Sequence, residues 1–383
     1  MSDDVRIEEV RKGAAYAFRS GVDAPQASHH DEEMPRIQLT RRNVALGVLF
    51  VLSIVAFLYF VLPQIAGLED TWHRIERGDP WWLAAAAVFT VLSFGGYVIL
   101  FRAIFDEPGA PRRLTAAEAY QVTMAALAAT RLFAAAGAGG LALQAWAMRR
   151  AGMPRRMVAD RTLTFLFLQY VIYMLCLLIF GLGLYFGPDW LFSGNAPFAV
   201  TVVPAIFAAV LMTLAGLASL TPTDLQRRLE GFAKRGGRMA RLAQRLATVP
   251  ATVSAGVRSS LAHVRERDPS ILGAVAFWGF NIAVLWASFR AFGESPTLAI
   301  LVMAYFVGML GNLLPLPGGV GGVDGGMIGA FIAFGTSSSL AIVAVLTYRA
   351  FAFWLPTLPG IVAYFQLRRT VARWRAEAAR SPA

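Results

Sequence analysis

The chain has 383 residues, 57% of them hydrophobic and 15% charged, with a mean hydropathy of +0.55; soluble domains average about 45–50% apolar and about 25% charged residues. Its net charge is +11, and its one cysteine, Cys176, sits in the apolar stretch Leu163–Phe186. These values exclude an ordinary soluble enzyme, a disordered chain and a disulfide scaffold, and they indicate an all-α, polytopic integral membrane protein.

Residues 1–43 are polar and mixed in charge, and they read as a disordered cytoplasmic tail. The first apolar run begins only at Val44, too late for a signal peptide, so it reads as a retained membrane anchor. A helix needs roughly 20 apolar residues to cross the hydrocarbon. Six segments qualify as full spans: Val44–Ala66, Trp81–Phe105, Leu163–Phe186, Ala196–Leu220, Ile271–Phe292 and Leu340–Phe365. Trp72, Trp81, Trp82, Trp190 and Trp354 stand near their ends, as interfacial aromatics do.

Arginine placement orients these spans. Arg149, Arg150, Arg155, Arg156 and Arg161 cluster around a single acid, Asp160. Residues 222–270 hold ten basic against four acidic residues, and the tail carries Arg368, Arg369, Arg373, Arg375 and Arg380. The positive-inside rule puts all three regions, and both termini, in the cytoplasm. The acidic segment 67–80 then lies outside, and the protein belongs to the cell (inner) membrane.

Two further apolar stretches, Leu114–Met148 and Pro296–Ser339, must return to the side they enter from for this orientation to hold. Each is broken midway by glycine: Gly137, Gly139 and Gly140 in the first, Pro315, Pro317, Gly318, Gly319, Gly321 and Gly322 in the second. They read as two re-entrant helical hairpins inserted from opposite sides, an inverted repeat of the kind that places broken helices around a midplane site.

Between the repeats, residues 222–267 form a basic amphipathic segment. Leu225, Leu229, Phe232, Met239, Leu242 and Leu246 make one helical stripe among Arg227, Arg228, Lys234, Arg235, Arg238, Arg241 and Arg245. That pattern suits an anionic membrane surface. No aromatic interleaving or binding motif points to nucleic acid. The two lysines, Lys12 and Lys234, precede neither Ser nor Thr, so there is no P-loop. The histidines, His29, His30, His73 and His263, have no metal-ligand spacing, and no cofactor is expected.

A charge at mid-membrane costs at least about 2.5–3.5 kcal/mol, so it needs a partner or a watery cavity. The arrangement places Glu118, Arg131, Asp324 and Arg349 within the membrane. On a functional reading, Arg131 or Arg349 grips a lipid phosphate, Asp324 meets a cationic headgroup or a proton, and the glycines offer backbone N–H groups. On a structural reading, Asp324 and Arg349 are a buried ion pair fixing the second repeat. Glu118, near its helix start, reads as a dipole partner. Asn281 and Asn312 either line the cavity or bond between helices. Tyr348 reads as a headgroup contact or an interface anchor.

The sequence Leu314-Pro-Leu-Pro-Gly-Gly-Val-Gly-Gly-Val-Asp324, with Tyr348-Arg349 and Trp354-Leu-Pro-Thr-Leu-Pro-Gly360 downstream, resembles the lysylphosphatidylglycerol synthase transmembrane family. This is the flippase domain of the multiple peptide resistance factor. The resemblance runs from about Val44 to Arg369. Family members often carry Glu where this chain has Asp324, and often have proline where it reads Ala134-Ala-Ala136. The resemblance implies a bacterial lipid flippase, not an enzyme, with a phospholipid as partner and a transmembrane domain over 44–369. A basic cytoplasmic tail, 370–383, follows. No aminoacyl-transferase domain is expected within these 383 residues, so a separate soluble enzyme is a possible partner.

Two other classes stay open at this point. An integral membrane transferase with a lipid-linked donor would use an external acid, for which Glu69-Asp70 stands available. A non-transporting partner protein would recruit a soluble enzyme through 222–267.

Overall fold

The computed structural model describes residues 78–107, 109–132, 138–188, 196–219, 269–313, 319 and 321–380. The whole tail 1–43, the expected span Val44–Ala66, Glu69-Asp70, the segment 222–267 and residues 381–383 lie outside them. All regular structure among the described residues is helical. In chain order it comprises α1 (Pro80–Phe105), α2 (Ala116–Leu132), α3 (Ala138–Arg150), α4 (Arg155–Phe186), α5 (Phe198–Ser219), α6 (Pro269–Phe292) and α7 (Leu298–Met309). A 3₁₀ turn (Leu310–Leu313), α8 (Gly322–Ala333), α9 (Ser338–Arg349), a π turn (Ala350–Trp354) and α10 (Leu355–Arg380) complete it.

Five helices among the described residues are long and apolar enough to cross a membrane: Pro80–Phe105, Arg155–Phe186, Phe198–Leu217, Pro269–Phe292 and the continuous stretch Ser338–Glu377. Their outer faces are apolar as well. Val88, Val91 and Ile99 project from α1, and Val203, Ile206, Val210 and Leu214 from α5, all exposed. Continuous apolar faces of this kind suit hydrocarbon, where backbone polar groups must be satisfied within the helices themselves.

Helix starts follow local chemistry. Asp79 caps α1 by accepting from the Trp81 N–H at 2.9 Å, ahead of Pro80. Thr115 and Glu118 form a capping box on α2: the Thr115 N–H donates to Glu118 Oε2 at 2.9 Å and the Glu118 N–H to Thr115 Oγ1 at 3.2 Å. Helix α4 begins at Arg155, earlier than the Leu163 expected from hydropathy. Its polar first turns are held because Arg161 donates to the Phe105 and Glu107 carbonyls, closing the C-terminus of α1.

Helices α1 and α6 pack antiparallel along their whole length. The Asp79 N–H donates to the Ala291 carbonyl at 2.9 Å at one end, and Gly96 meets Gly273 further down. A Cβ on Gly96 would stand 2.8 Å from the Gly273 oxygen, and one on Gly273 2.6 Å from the Leu100 nitrogen. Paired small residues of this kind let membrane helices approach to backbone contact.

This pair defines a Pro80 end and a Phe105 end. Helices α2 and α3 form a hairpin that starts and finishes at the Phe105 end; Gly140 of α3 folds back against Thr130 and Ala126 of α2. Helices α7 and α8 form the opposite hairpin, starting and finishing at the Pro80 end. Gly308 of α7 abuts Gly326 and Met327 of α8, and Gly293 lies beside Leu340. Helices α7 and α8 have 12 residues each, or about 18 Å at 1.5 Å per residue. The packing is reciprocal: α2 of the first hairpin lies on α10, and α7 of the second lies on α4.

The last helix reaches into the basic C-terminal segment. Helix α10 runs on through residue 370 to Arg380. Ala363, Leu367, Thr370, Val371 and Trp374 recur at helical spacing and are all buried, so the stripe that seats α10 continues past residue 370. Gly360 permits that seat: a Cβ there would stand 2.7 Å from the Met124 carbonyl oxygen of α2.

Candidate functional site

The second hairpin turns on glycines in left-handed conformation, Gly319 at φ +66° and Gly321 at φ +83°, which side-chain-bearing residues rarely adopt. That turn launches α8 with Asp324 in its first turn. Asp324 Oδ2 accepts from the Gly321 N–H at 3.0 Å, which anchors the carboxylate at the helix N-terminus, where negative charge is favoured. Its other oxygen lies 2.5 Å from Arg349 Nε. Both side chains are buried.

Arg349 ends α9, and the helix there widens into a π turn. The Leu355 N–H reaches back to the Ala350 carbonyl, one residue further than an α-helix would. Pro356 then has no N–H to offer the Ala352 carbonyl. Arg131 from the first hairpin reaches the Ala352 carbonyl and also the Phe353 carbonyl, which it shares with the Thr357 hydroxyl. Arg131 Nη2 donates to the Ala352 oxygen at 2.9 Å, and Nη1 donates to the Phe353 oxygen and to Thr357 Oγ1, the latter at 3.2 Å. Wide turns of this type inside helices are frequent at functional sites.

Phe353 joins the two arginines. The Arg131 guanidinium carbon lies 4.7 Å from the Phe353 ring centroid and that of Arg349 lies 4.4 Å from it; Phe94 lies 5.7 Å from Arg131. Aromatic faces attract cations within about 6 Å, the more so when desolvated. The cluster therefore gathers one residue from each hairpin, Arg349 from the end of α9, Phe353 from the π turn and Phe94 from α1. It holds two guanidinium groups against one carboxylate, and among the described residues Arg131 pairs with no acid. The net charge of +1 (two positive, one negative) suits an anion, and the planar fork of arginine suits a phosphate.

Of the residues expected at a site, Arg131, Asp324 and Arg349 are thus brought together. Tyr348 is not at an interface. It is buried in the core, its hydroxyl 3.3 Å from the Tyr305 hydroxyl and 3.4 Å from Asn281 Oδ1. Asn281 Nδ2 donates to Ser93 Oγ at 2.5 Å and to the Phe277 carbonyl at 2.9 Å, so α1, α6, α7 and α9 share one polar ladder. Asn281 serves interhelical bonding. Asn312 is exposed beside the second turn, its Nδ2 3.5 Å from Met309 Sδ. Gly139 and Gly140 begin α3 and Gly322 begins α8. Gly137, Pro315, Pro317 and Gly318 lie outside the described residues.

Glu118 takes a structural post. Besides its cap on α2 it accepts from Trp374 Nε1 at 2.8 Å and lies 3.4 Å from Arg112, tying α2 to α10. Phe353 and the π turn were not singled out from sequence; the pair of prolines in Trp354-Leu-Pro-Thr-Leu-Pro was the available signal, because each proline removes a helical donor. Among the described residues no three His, Cys, Asp or Glu side chains gather as a metal site.

The family described as "Lysylphosphatidylglycerol synthase TM region" matches residues 44–360. Two proteins of Methanothermobacter thermautotrophicus, each named a UPF0104 membrane protein, are similar across most of the chain. One is 25% identical over 339 residues, covering 83% of this chain and 94% of the relative. The other is 24% identical over 358 residues, covering 85% of this chain and 94% of the relative.

Proposed function

From its membership of the lysylphosphatidylglycerol synthase TM region family, to which this chain belongs, we propose that the protein moves a phospholipid or lipid-linked headgroup between the leaflets of the cell membrane. The observation that carries this reading is the cationic cluster of Arg131, Arg349 and Asp324, assembled where the two opposed hairpins meet the π turn. With Val44–Ala66 added, the spans number six and both hairpins are re-entrant. The termini and the basic segment 222–267 then face the cytoplasm and its anionic lipid surface.

In this mechanism the lipid phosphate approaches the guanidinium pair, where charge attracts it and dehydration strengthens the attraction. Asp324 holds Arg349 in place until the phosphate competes for it. The headgroup passes between the hairpin tips while its acyl chains stay in hydrocarbon. No nucleotide hydrolysis is involved, and the chain acts as a translocator, not as an enzyme.

The test is transfer in proteoliposomes. Labelled phosphatidylglycerol and phosphatidylethanolamine are incorporated, and the outer leaflet is chemically quenched. Wild-type protein should give quenching beyond the outer half, and Asp324→Asn should return it to that of empty vesicles. Wild-type quenching equal to that of empty vesicles for every headgroup would overturn the reading.

A further inference from the structure

Phe353 sits four residues beyond Arg349, a spacing that one helical turn brings to the same face. Arg131 reaches the same ring from the first hairpin, 222 positions earlier in the chain. The two guanidinium carbons lie over that ring at 4.7 Å and 4.4 Å from its centroid, and so stand no more than about 9 Å from each other, the sum of those distances. Two like charges this close repel, the more strongly where water is excluded. Asp324 answers Arg349 at 2.5 Å, and no acid among the described residues answers Arg131.

Arg131 is held instead by its edge and by its face. Along the edge, its donors meet the Ala352 and Phe353 carbonyls and Thr357 Oγ1, and Thr357 in turn donates to the Phe353 carbonyl at 2.8 Å. Against the face lie the rings of Phe353 and Phe94. Carbonyl dipoles and the negative face of a ring attract a cation without neutralising it. A carboxylate in their place would cancel the charge and leave nothing for an anion to meet. Phe353 is also buried, so leucine or isoleucine would serve a purely packing role there. Neither has a negative face for the two cations to share.

We propose that Phe353 is a positioning residue for anion binding, its single ring fixing the spacing of Arg131 and Arg349 so that one phosphate meets both. The ring acts through the two guanidinium groups, and it keeps one positive charge in excess at the site. The π turn carries it there, since Phe353 belongs to the turn that Arg131 clasps. This role rests on the translocator reading for the identity of the anion. It adds to that reading the means by which two repelling cations are kept in register.

The experiment is a fluorination series at position 353 of the full-length protein, with one, two and three ring fluorines on the phenylalanine introduced by nonsense suppression. Fluorine drains the negative face of the ring and scarcely changes its size, so the packing around it is kept. Two quantities are read: equilibrium binding of short-chain phosphatidylglycerol by calorimetry, and transfer in proteoliposomes against the mole fraction of phosphatidylglycerol in phosphatidylcholine. Half-saturation should rise stepwise along the series in both, by roughly two- to thirtyfold at three fluorines, the worth of one cation–π contact. Trifluorination of Phe101, two helical turns beyond Phe94 and stacked on Phe105 at 4.4 Å, should leave half-saturation unchanged. A series that lowers the unfolding midpoint while half-saturation stays flat would reduce Phe353 to packing. Tighter binding with fluorination would show the ring competing with the anion. Either result overturns the proposal. Graded binding without wild-type transfer would remove the translocator reading alone, and transfer with flat binding would remove the positioning role alone. Absence of binding by the wild type would remove both.

Discussion

Asp324 holds Arg349 Nε at 2.5 Å with one oxygen and the Gly321 amide at 3.0 Å with the other. The carboxylate thus fastens the turn of one hairpin to the end of α9. Asn at 324 keeps the acceptor for Gly321 and removes only the charge. Breaking a buried ion pair from one side costs about 3–5 kcal/mol, because the surviving charge is left uncompensated. Asp324→Asn should therefore lower the thermal unfolding midpoint of the purified protein as well as abolish transfer. Adding Arg349→Gln should recover part of the loss, with a coupling of about 0.5–3 kcal/mol in a double-mutant cycle. Strict additivity would show that the pair does not interact.

Arg131 acts through shape as much as charge. Its fork spans the Ala352 and Phe353 carbonyls and the Thr357 hydroxyl, which a lysine ammonium cannot reach together. Arg131→Lys should keep the cationic field but loosen the π turn, at about 1–3 kcal/mol. Transfer of anionic lipid should fall about tenfold or more, if the turn positions Phe353 and Arg349. Unchanged transfer in Arg131→Lys, with the protein still folded by size-exclusion chromatography, would reduce the residue's role to charge alone.

The crossing of α1 and α6 gives a test of packing independent of lipid. A methyl group at Gly96 would press on the Gly273 oxygen and Phe277 nitrogen, each at 2.8 Å, both backbone atoms that cannot swing aside. Gly96→Ala should cost about 1–3 kcal/mol through overpacking. Gly95→Ala, one residue earlier and facing open space, should be neutral or slightly stabilising, since Ala is the better helix former by about 1 kcal/mol. Equal midpoints for the two variants would contradict the observed helix contact.

The helical membrane class was legible because hydrophobic length is a coarse signal that tertiary packing does not rewrite. The glycine-rich stretch located the second turn, where Gly319 and Gly321 are left-handed, and a buried acid and base in the second repeat had few partners other than each other. The π turn was not legible: Ala350-Phe-Ala-Phe-Trp354 reads as ordinary apolar helix, and only the loss of donors at Pro356 and Pro359 hints at freed carbonyls. The burial of Tyr348 was not legible, because a tyrosine beside an arginine gives no sign of facing. Its burial depends on Tyr305 and Asn281, which arrive from distant segments. The basic composition of the last residues masked a buried stripe, since arginines on the outer face outnumber the Val371 and Trp374 side chains that seat the helix.

That last seat carries its own prediction. Trp374 is buried, donates to Glu118 Oε1 at 2.8 Å and lies under Arg112, whose Nη1 is 2.6 Å from Glu377. The contact fixes the free end of α10 to the start of α2, the helix whose other end carries Arg131. Trp374→Ala should cost about 3–5 kcal/mol, as burial of a large aromatic does, and should open the Arg368–Arg380 region to trypsin. Deleting residues 370–383 should do the same, although an unanchored tail could be removed without effect. Trp374→Phe should recover most of the packing but not the hydrogen bond to Glu118, leaving a deficit of about 1–3 kcal/mol for the buried carboxylate oxygen. If the truncated protein melts and resists trypsin like the full chain, α10 does not depend on this contact.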